Sequence, residues 1–262
     1  MNEYQITFFV NDTTGNAHVV LPLSRLAKTF KSTVRIVNIT QNRSADLSMS
    51  VAVLQVGLLK GDLCQITAIG IDAELTCFVI KDIIAEHYAL IGSHINEEFS
   101  THLVRRLPQI SPPCEIKWFY AKAQTDLNKL ECLKGLAQLI HPQNSEELLH
   151  SLIKREEQSS TCVSPGIALP HVMFNDIELM SIAVIATDLP IDWSSTIGSV
   201  RLAIALILPK TPSKDQIVSA TNLTRNLLNG QVTERLRQTR NSVDLQALLM
   251  YLSSRLLPYN LS

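Results

Sequence analysis

The amino-acid sequence predicts an α/β (α+β) fold arranged as two domains. Three observations carry this: a length of 262 residues, aliphatic runs of strand length alternating with segments of helical period, and a proline-rich stretch near the middle. Compact units usually hold roughly 100–200 residues, so the length suits two of them. With 46% hydrophobic, 18% charged and 5% aromatic residues, the chain can fill ordinary cores, and disorder is not indicated.

In the first domain, Tyr4 to Val10 alternates β-favouring side chains and reads as a strand closed by a polar turn, Asn11 to Gly15. Val19 to Phe30 places Val19, Val20, Leu23, Leu26, Ala27 and Phe30 on one helical face. Thr33 to Ile39 reads as a strand, Ser48 to Gly57 as a short helix or turn, Gly61-Asp62 as a tight turn and Leu63 to Ile69 as a strand. Asp72 to Ile91 is an amphipathic helix. Asn96 to Pro113 loses periodicity and contains Leu107-Pro108 and Ser111-Pro112-Pro113, where proline stops helices. The predicted organisation is therefore a first domain over 1–95, a linker over 96–113 and a second domain over 114–262.

The second domain opens on a strand at Glu115 to Ala121 and a helix at Asp126 to Ile140. A further helix spans Ser145 to Glu157, with Ser145 as its N-cap and Leu148, Leu149, Leu152 and Ile153 as its apolar face. Apolar strands follow at 167–170, 179–187 and 200–208, then helices at 214–228, 231–239 and 243–256. Buried strands alternating with helices define an α/β layer fold.

Composition narrows the function. Lys plus Arg total 23 against 24 acidic residues, so no net field draws nucleic acid or an anionic membrane surface. The three arginines at Arg235, Arg237 and Arg240 lie beside Glu234 on a helix and read as a solvated face. Cys64, Cys77, Cys114, Cys132 and Cys162 are odd in number and lack the spacing of a zinc site or redox motif, so reduced thiols and no bound metal or cofactor are expected. No stretch has the length and apolarity of a membrane span, and the N-terminus lacks a basic, then apolar segment, so direct membrane insertion is not expected and a cytoplasmic location is.

The most informative stretch is Ser164-Pro165-Gly166-Ile167-Ala168-Leu169-Pro170-His171, preceded by Lys154-Arg155-Glu156 and a polar spacer ending in Ser160-Thr161. It reads as an arginine, a turn, an apolar strand, and a histidine presented where that strand ends, a position suited to a nucleophile. Taken singly, His171 would merely end a strand and Arg155 would pair with a nearby glutamate. Together the segments resemble the active-site signature of mannitol/fructose-type EIIA domains of the bacterial sugar phosphotransferase system, over about residues 114–255. The resemblance implies an α/β sandwich with a mixed sheet flanked by helices, His171 as phosphoacceptor and Arg155 stabilising the phosphoryl group. A guanidinium suits that role because its planar fork of donors matches phosphoryl oxygens. Thr161 either bonds the phosphate or caps the turn. Such domains carry a second histidine in His-Leu-x-x-Leu-Ser-x-Leu; here Gln216 occupies its position, in Gln216-Ile217-Val218-Ser219-Ala220-Thr221-Asn222-Leu223.

Residues 3–92, through Leu26-Ala27-Lys28-Thr29-Phe30 and Leu58-Leu59-Lys60-Gly61-Asp62 among others, resemble HPr, the small phosphocarrier of the same system. That resemblance implies an open-faced β-sandwich, but its Gly-Leu-His-Ala-Arg-Pro active site is degenerate here. Alignment without gaps puts Asn16 at the acceptor position and His18 at that of the arginine. Sliding by two residues makes His18 the acceptor, with Val20 where the arginine should stand. Met49 falls where some HPr proteins bear a regulatory serine. The resemblances imply a phosphotransferase that takes a phosphoryl group from phospho-HPr on His171 and passes it to an EIIB component in fructose- or mannitol-type uptake. The alternative is a regulator whose state at His171 controls binding to a partner protein. The pattern Ser151-x-x-Lys154 lacks companion motifs, and His87, His94, His102, His141 and His150 show no ligand spacing.

Overall fold

The structure is a computed structural model and describes residues 2–12, 16–92, 98–100 and 102–258, for residues 16 and 17 the backbone alone. The chain divides into two compact units, Met1–Ile95 with Leu257–Ser262, and Asn96–Leu256.

In the first unit, β1 (Asn2–Phe9), α1 (Asn16–Ala27), β2 (Thr33–Asn38), β3 (Arg43–Asp46), α2 (Ser50–Val56), β4 (Leu63–Gly70), α3 (Ala73–His87) and β5 (Ala89–Leu90) follow in order. The sheet runs β3-β2-β4-β1-β5 with every neighbour antiparallel. Alternate strand residues Ile6, Phe8, Val34, Ile36, Ile66 and Ala68 share one core with Val19, Val20 and Leu23 of α1, Val53 and Val56 of α2, and Ile80 and Ile84 of α3. Period 2 on the strands and helical spacing on the helices bring three helices to one sheet face. That is the arrangement the HPr resemblance implied. The strand β3 escaped the sequence reading because its residues, Arg-Ser-Ala-Asp, form a polar edge with no buried face to alternate. The expected turn at 11–15 falls partly outside the described residues.

Two polar clamps hold this unit's loops. Asp62, buried, accepts hydrogen bonds from Asn38 Nδ2 at 2.6 Å and from the Leu59 amide at 2.9 Å, fixing the predicted turn. Asp72, between β4 and α3, accepts from the Lys31 and Ser32 amides at 2.8 Å each and from the Ser32 hydroxyl. The Ser32 hydroxyl and then the Lys31 amide hold the Asp72 carboxyl below its usual value of 3.8.

The second unit contains α4 (Leu103–Arg106), a 3-10 turn at Pro108–Ile110, β6 (Ile116–Lys122), α5 (Lys129–Ile140), α6 (Ser145–Gln158), β7 (Cys162–Ser164), β8 (Gly166–Ala168), β9 (His171–Phe174), β10 (Met180–Ile191), β11 (Val200–Pro209), α7 (Lys214–Asn226), α8 (Gly230–Gln238) and α9 (Ser242–Ser254). The sheet order is β6-β10-β11-β8-β7, and β9 also pairs with β11. Strands β6 and β10 are parallel, β10 and β11 antiparallel, and β8 and β9 both run parallel to β11, so the sheet is mixed as expected.

One face of the sheet, through Ala183, Ile185, Ala203, Ala205 and Ile207, shares a core with Leu133, Leu136 and Ala137 of α5 and Leu148 and Leu152 of α6. The alternate residues Ile182, Val184, Ile204 and Leu206 are buried as well. Burial on both faces makes β10 and β11 continuous apolar runs, which is how they stand out in the sequence.

Several boundaries differ from expectation for local reasons. Asn128 and Glu131 form a capping box that starts α5 at Lys129, not Asp126. The N-cap of α6 is Asn144, because a 3-10 turn at Pro142–Asn144 leads directly into the helix. The segment read as a linker falls inside this unit: Leu103, Leu107 and Ile110 are buried, and the Ser100 amide donates to Gln246 Oε1 at 2.7 Å. At the far end of α9, Asn226 Nδ2 donates to the Leu252 and Arg255 carbonyls at 2.8 Å each, satisfying acceptors the helix leaves open. Gly166 sits at φ +91°, and a Cβ there would lie 2.4 Å from Cδ of Arg237. Among the described residues, no helix is long and apolar enough to cross a membrane.

Two outcomes test these local constraints in the full chain. A group whose folded pKa is lowered stabilises above its unfolded value and loses that contribution as pH falls through the folded value. Asp72→Ala is therefore expected to speed amide exchange at Lys31 and Ser32 near neutrality, with the gap from the native protein closing below the ordinary value of 3.8; a gap independent of pH would contradict this. Gly166→Ala should destabilise the protein by about 1–3 kcal/mol in a denaturant melt, from left-handed backbone strain and displacement of Arg237; an unchanged midpoint would contradict it.

Candidate functional site

The site forms where two short strands lie end to end along β11. Strand β8 stops at Ala168, two residues short of the predicted end at Pro170, and His171, expected to follow that strand, instead opens a further strand, β9, that was not predicted. Pro170 has no amide hydrogen to give to a ladder, yet its carbonyl accepts from the Leu206 amide at 2.9 Å, which keeps the break against the sheet. His171 pairs in register with Leu206.

At this break the imidazole is held at both nitrogens. Nδ1 lies 2.8 Å from the Leu169 carbonyl oxygen. A carbonyl only accepts, so Nδ1 carries the proton and the ring presents the Nε2 lone pair. Arg155 Nε donates to that Nε2 at 3.3 Å, while its Nη1 donates to the Ser159 carbonyl at 3.0 Å. Arg155 stands in the last turn of α6, and both it and His171 are half-buried. The geometry thus brings together the two residues the signature singled out, with a cation against the unprotonated nitrogen.

The other candidates fall elsewhere. Thr161 is buried and its hydroxyl donates to Glu156 Oε2 at 2.5 Å, with its amide donating to the same oxygen at 3.0 Å, which places it in the turn leaving α6. Gln216 is buried at the start of α7, in a capping box with Ser213: its Oε1 accepts from the Ser213 amide at 2.8 Å and its Nε2 donates to the Glu178 carbonyl at 3.2 Å. Cys162 Sγ faces the Ser164 and Gly198 carbonyls at 3.4 and 3.8 Å, and burial raises its thiol pKa, which disfavours the thiolate. His18 is exposed in the first turn of α1; the side chain of Asn16 lies outside the described residues, as does His94. His141 closes the turn before α6, accepting from the Asn144 amide at 3.1 Å. Among the described residues, no group of three or more His, Cys, Asp or Glu is arranged to hold a metal ion.

The sequence reading missed Glu156 as a site-building residue, although a signal was present. Leu148, Leu152 and Glu156 follow at i, i+4 and i+8 on the buried face of α6, so a carboxylate stands where the helix should carry an apolar side chain. Lys129, whose Nζ lies 3.6 Å from Glu156 Oε1 and donates to the Trp193 carbonyl at 3.0 Å, carries no comparable signal in sequence. The 3.6 Å separation exceeds a hydrogen bond, so the two form an ion pair only.

Residues 122–251 match the family of the phosphoenolpyruvate-dependent sugar phosphotransferase system, EIIA 2. A multiphosphoryl transfer protein of Shigella flexneri is 31% identical over 103 residues, 39% of this chain, and the match spans 12% of that protein's length. A nitrogen regulatory protein of Bradyrhizobium diazoefficiens is 26% identical over 129 residues, 49% of this chain and 84% of that protein. Among solved structures, a histidine-containing phosphocarrier protein of Mycoplasma is similar over 35% of this chain and 100% of its own, with 19% identity and a TM-score of 0.30. The family match falls on the unit that holds the imidazole and its arginine, and residues 122–251 are an EIIA 2 domain of the phosphotransferase-system type.

Proposed function

We propose that His171 Nε2 accepts a phosphoryl group from the phosphohistidine of an HPr-type donor and passes it to the cysteine of an EIIB component. The observation that carries this reading is the paired restraint on the ring, Nδ1 on the Leu169 carbonyl and Nε2 on Arg155. In-line attack needs a neutral imidazole with one nitrogen free to act and the other fixed. The donor imidazole leaves with the electron pair of its N–P bond as an Nε2–P bond forms, and Nδ1 of His171 keeps its proton, hydrogen-bonded to the Leu169 carbonyl. Arg155 releases the Nε2 lone pair before the attack and turns its donors to the phosphoryl oxygens, keeping its charge at the same place. Because Gln216 commits its amide to the α7 cap and to Glu178, neutralisation of the phosphoryl charge falls to Arg155.

The N-terminal unit takes no phosphoryl group in the ungapped register. That register puts Asn16 at the acceptor position, and asparagine forms no stable phosphoramidate, so a separate HPr serves as donor. Fructose- or mannitol-type uptake is the substrate class the EIIA resemblance favours, with a cytoplasmic setting shared with those partners.

A second reading has its own support. The nitrogen regulatory relative is matched over 84% of its length, whereas the multiphosphoryl relative is matched over 12%. In this reading phospho-His171 sets the affinity for a regulatory partner protein and no sugar follows.

Incubation with phosphoenolpyruvate, Enzyme I and HPr, followed by mass mapping, tests the common step. Label is expected on His171, absent in His171→Ala and slowed on the order of 10²-fold in Arg155→Ala. Label on His18, or labelling of His171→Ala at the native rate, would contradict the proposal. Transfer onward to an EIIB cysteine separates transport from regulation: transfer supports the first reading and its absence the second.

A further inference from the structure

The geometry points to Glu156 as a positioning residue that sets the tautomer of His171 through a chain of hydrogen bonds. The inference rests on the phosphoacceptor reading of His171 and adds residues to it.

The chain begins in a buried ion pair. The Glu156 side chain is 6% exposed and Lys129 stands 3.6 Å from its Oε1, itself anchored on the Trp193 carbonyl. Oε2 takes both the amide and the hydroxyl of Thr161, at 3.0 and 2.5 Å. Thr161 in turn accepts the Leu169 amide on its carbonyl at 2.8 Å, and the Leu169 carbonyl meets His171 Nδ1 at 2.8 Å. Each link fixes the peptide that makes the next one. Glu156 holds Thr161, Thr161 holds Leu169, and Leu169 holds the ring.

The same helix turn acts on the other side of the ring. Arg155 and Glu156 are successive residues, so their side chains leave α6 about 100° apart. Glu156 points into the core while Arg155 reaches Nε2 of His171. Anchoring the Glu156 side chain therefore fixes the turn from which Arg155 projects. A carboxylate is needed because a single oxygen must accept two donors, and a charge stabilises that double acceptance more than a neutral group does. A leucine, as at Leu148 and Leu152, would pack the face equally well but would leave the buried Thr161 amide and hydroxyl without their acceptor. Ring orientation set by an outer partner is a familiar lever on histidine reactivity, and its loss costs roughly 10–100-fold where it has been measured at metal sites.

The test uses the full chain labelled with 15N-histidine. In the native protein at mildly alkaline pH, His171 should show a protonated Nδ1 and an unprotonated Nε2. Glu156→Ala should shift the ring toward a mixture of tautomers and slow phosphorylation by HPr roughly tenfold or more. Glu156→Gln, which keeps an oxygen for Thr161, should recover the native tautomer in part. A folded Glu156→Ala protein with the native tautomer and native rate would overturn the proposal. If Glu156→Ala fails to fold, Thr161→Val, which removes one of the two bonds to Glu156, decides by the same two readouts. Absence of label on native His171 would fail the phosphoacceptor reading alone, and the nitrogen shifts would still decide the positioning role.

Discussion

The bond between His171 Nδ1 and the Leu169 carbonyl is the constraint on which the functional architecture turns. It joins a side chain to the backbone two residues earlier, across a proline, at a point where the chain has left one strand and not yet joined the next. A free imidazole would sample both tautomers and several rotamers, and only one combination offers Nε2 outward. The carbonyl selects that combination before any partner arrives, so the ordering cost is met in folding and not at the encounter. In the second unit, β11, Thr161 and Glu156 hold the segment that carries that carbonyl, and Arg155 puts positive charge opposite the ring.

The sheet supplies the first part. Strand β11 is buried on both faces and offers one rigid edge to β8 and then to β9. The two short strands gain registration from it that neither could hold alone. Pro170 creates the interruption, and its carbonyl bond to Leu206 keeps the interruption from becoming a loop. Helix α6 supplies the second part. Its apolar stripe docks it on the sheet through Leu148 and Leu152, and its last turn delivers Arg155 to the ring and Glu156 to the core. Burying a carboxylate is costly unless it is paired and hydrogen-bonded, and here Lys129 and Thr161 meet both conditions.

Most of the fold was legible in sequence because most elements have one or two buried faces. The helices of both units showed their stripes, and the fully buried β10 and β11 showed unbroken apolar runs. Elements without such a contrast were lost. The polar edge strand β3 has no buried face, and β7 and β9 are too short to show a period. The pair His171 and Arg155 could be singled out because the motif is compact in sequence, and the structure brings them within 3.3 Å. What could not be read was the use of residues whose partners come from far along the chain. Gln216 bonds the Glu178 carbonyl, and Lys129 meets Glu156 from another helix. In each case a tertiary contact, and not the local pattern, decides what a polar side chain does.

The central claim is that the phosphoryl group resides on Nε2 of His171 while Nδ1 keeps its proton on the Leu169 carbonyl. Nitrogen–phosphorus coupling in the phosphorylated, 15N-histidine-labelled protein tests it most directly. The account predicts coupling to Nε2 of His171 with Nδ1 still protonated. Coupling to Nδ1 of that ring, or to a ring other than His171, would contradict it.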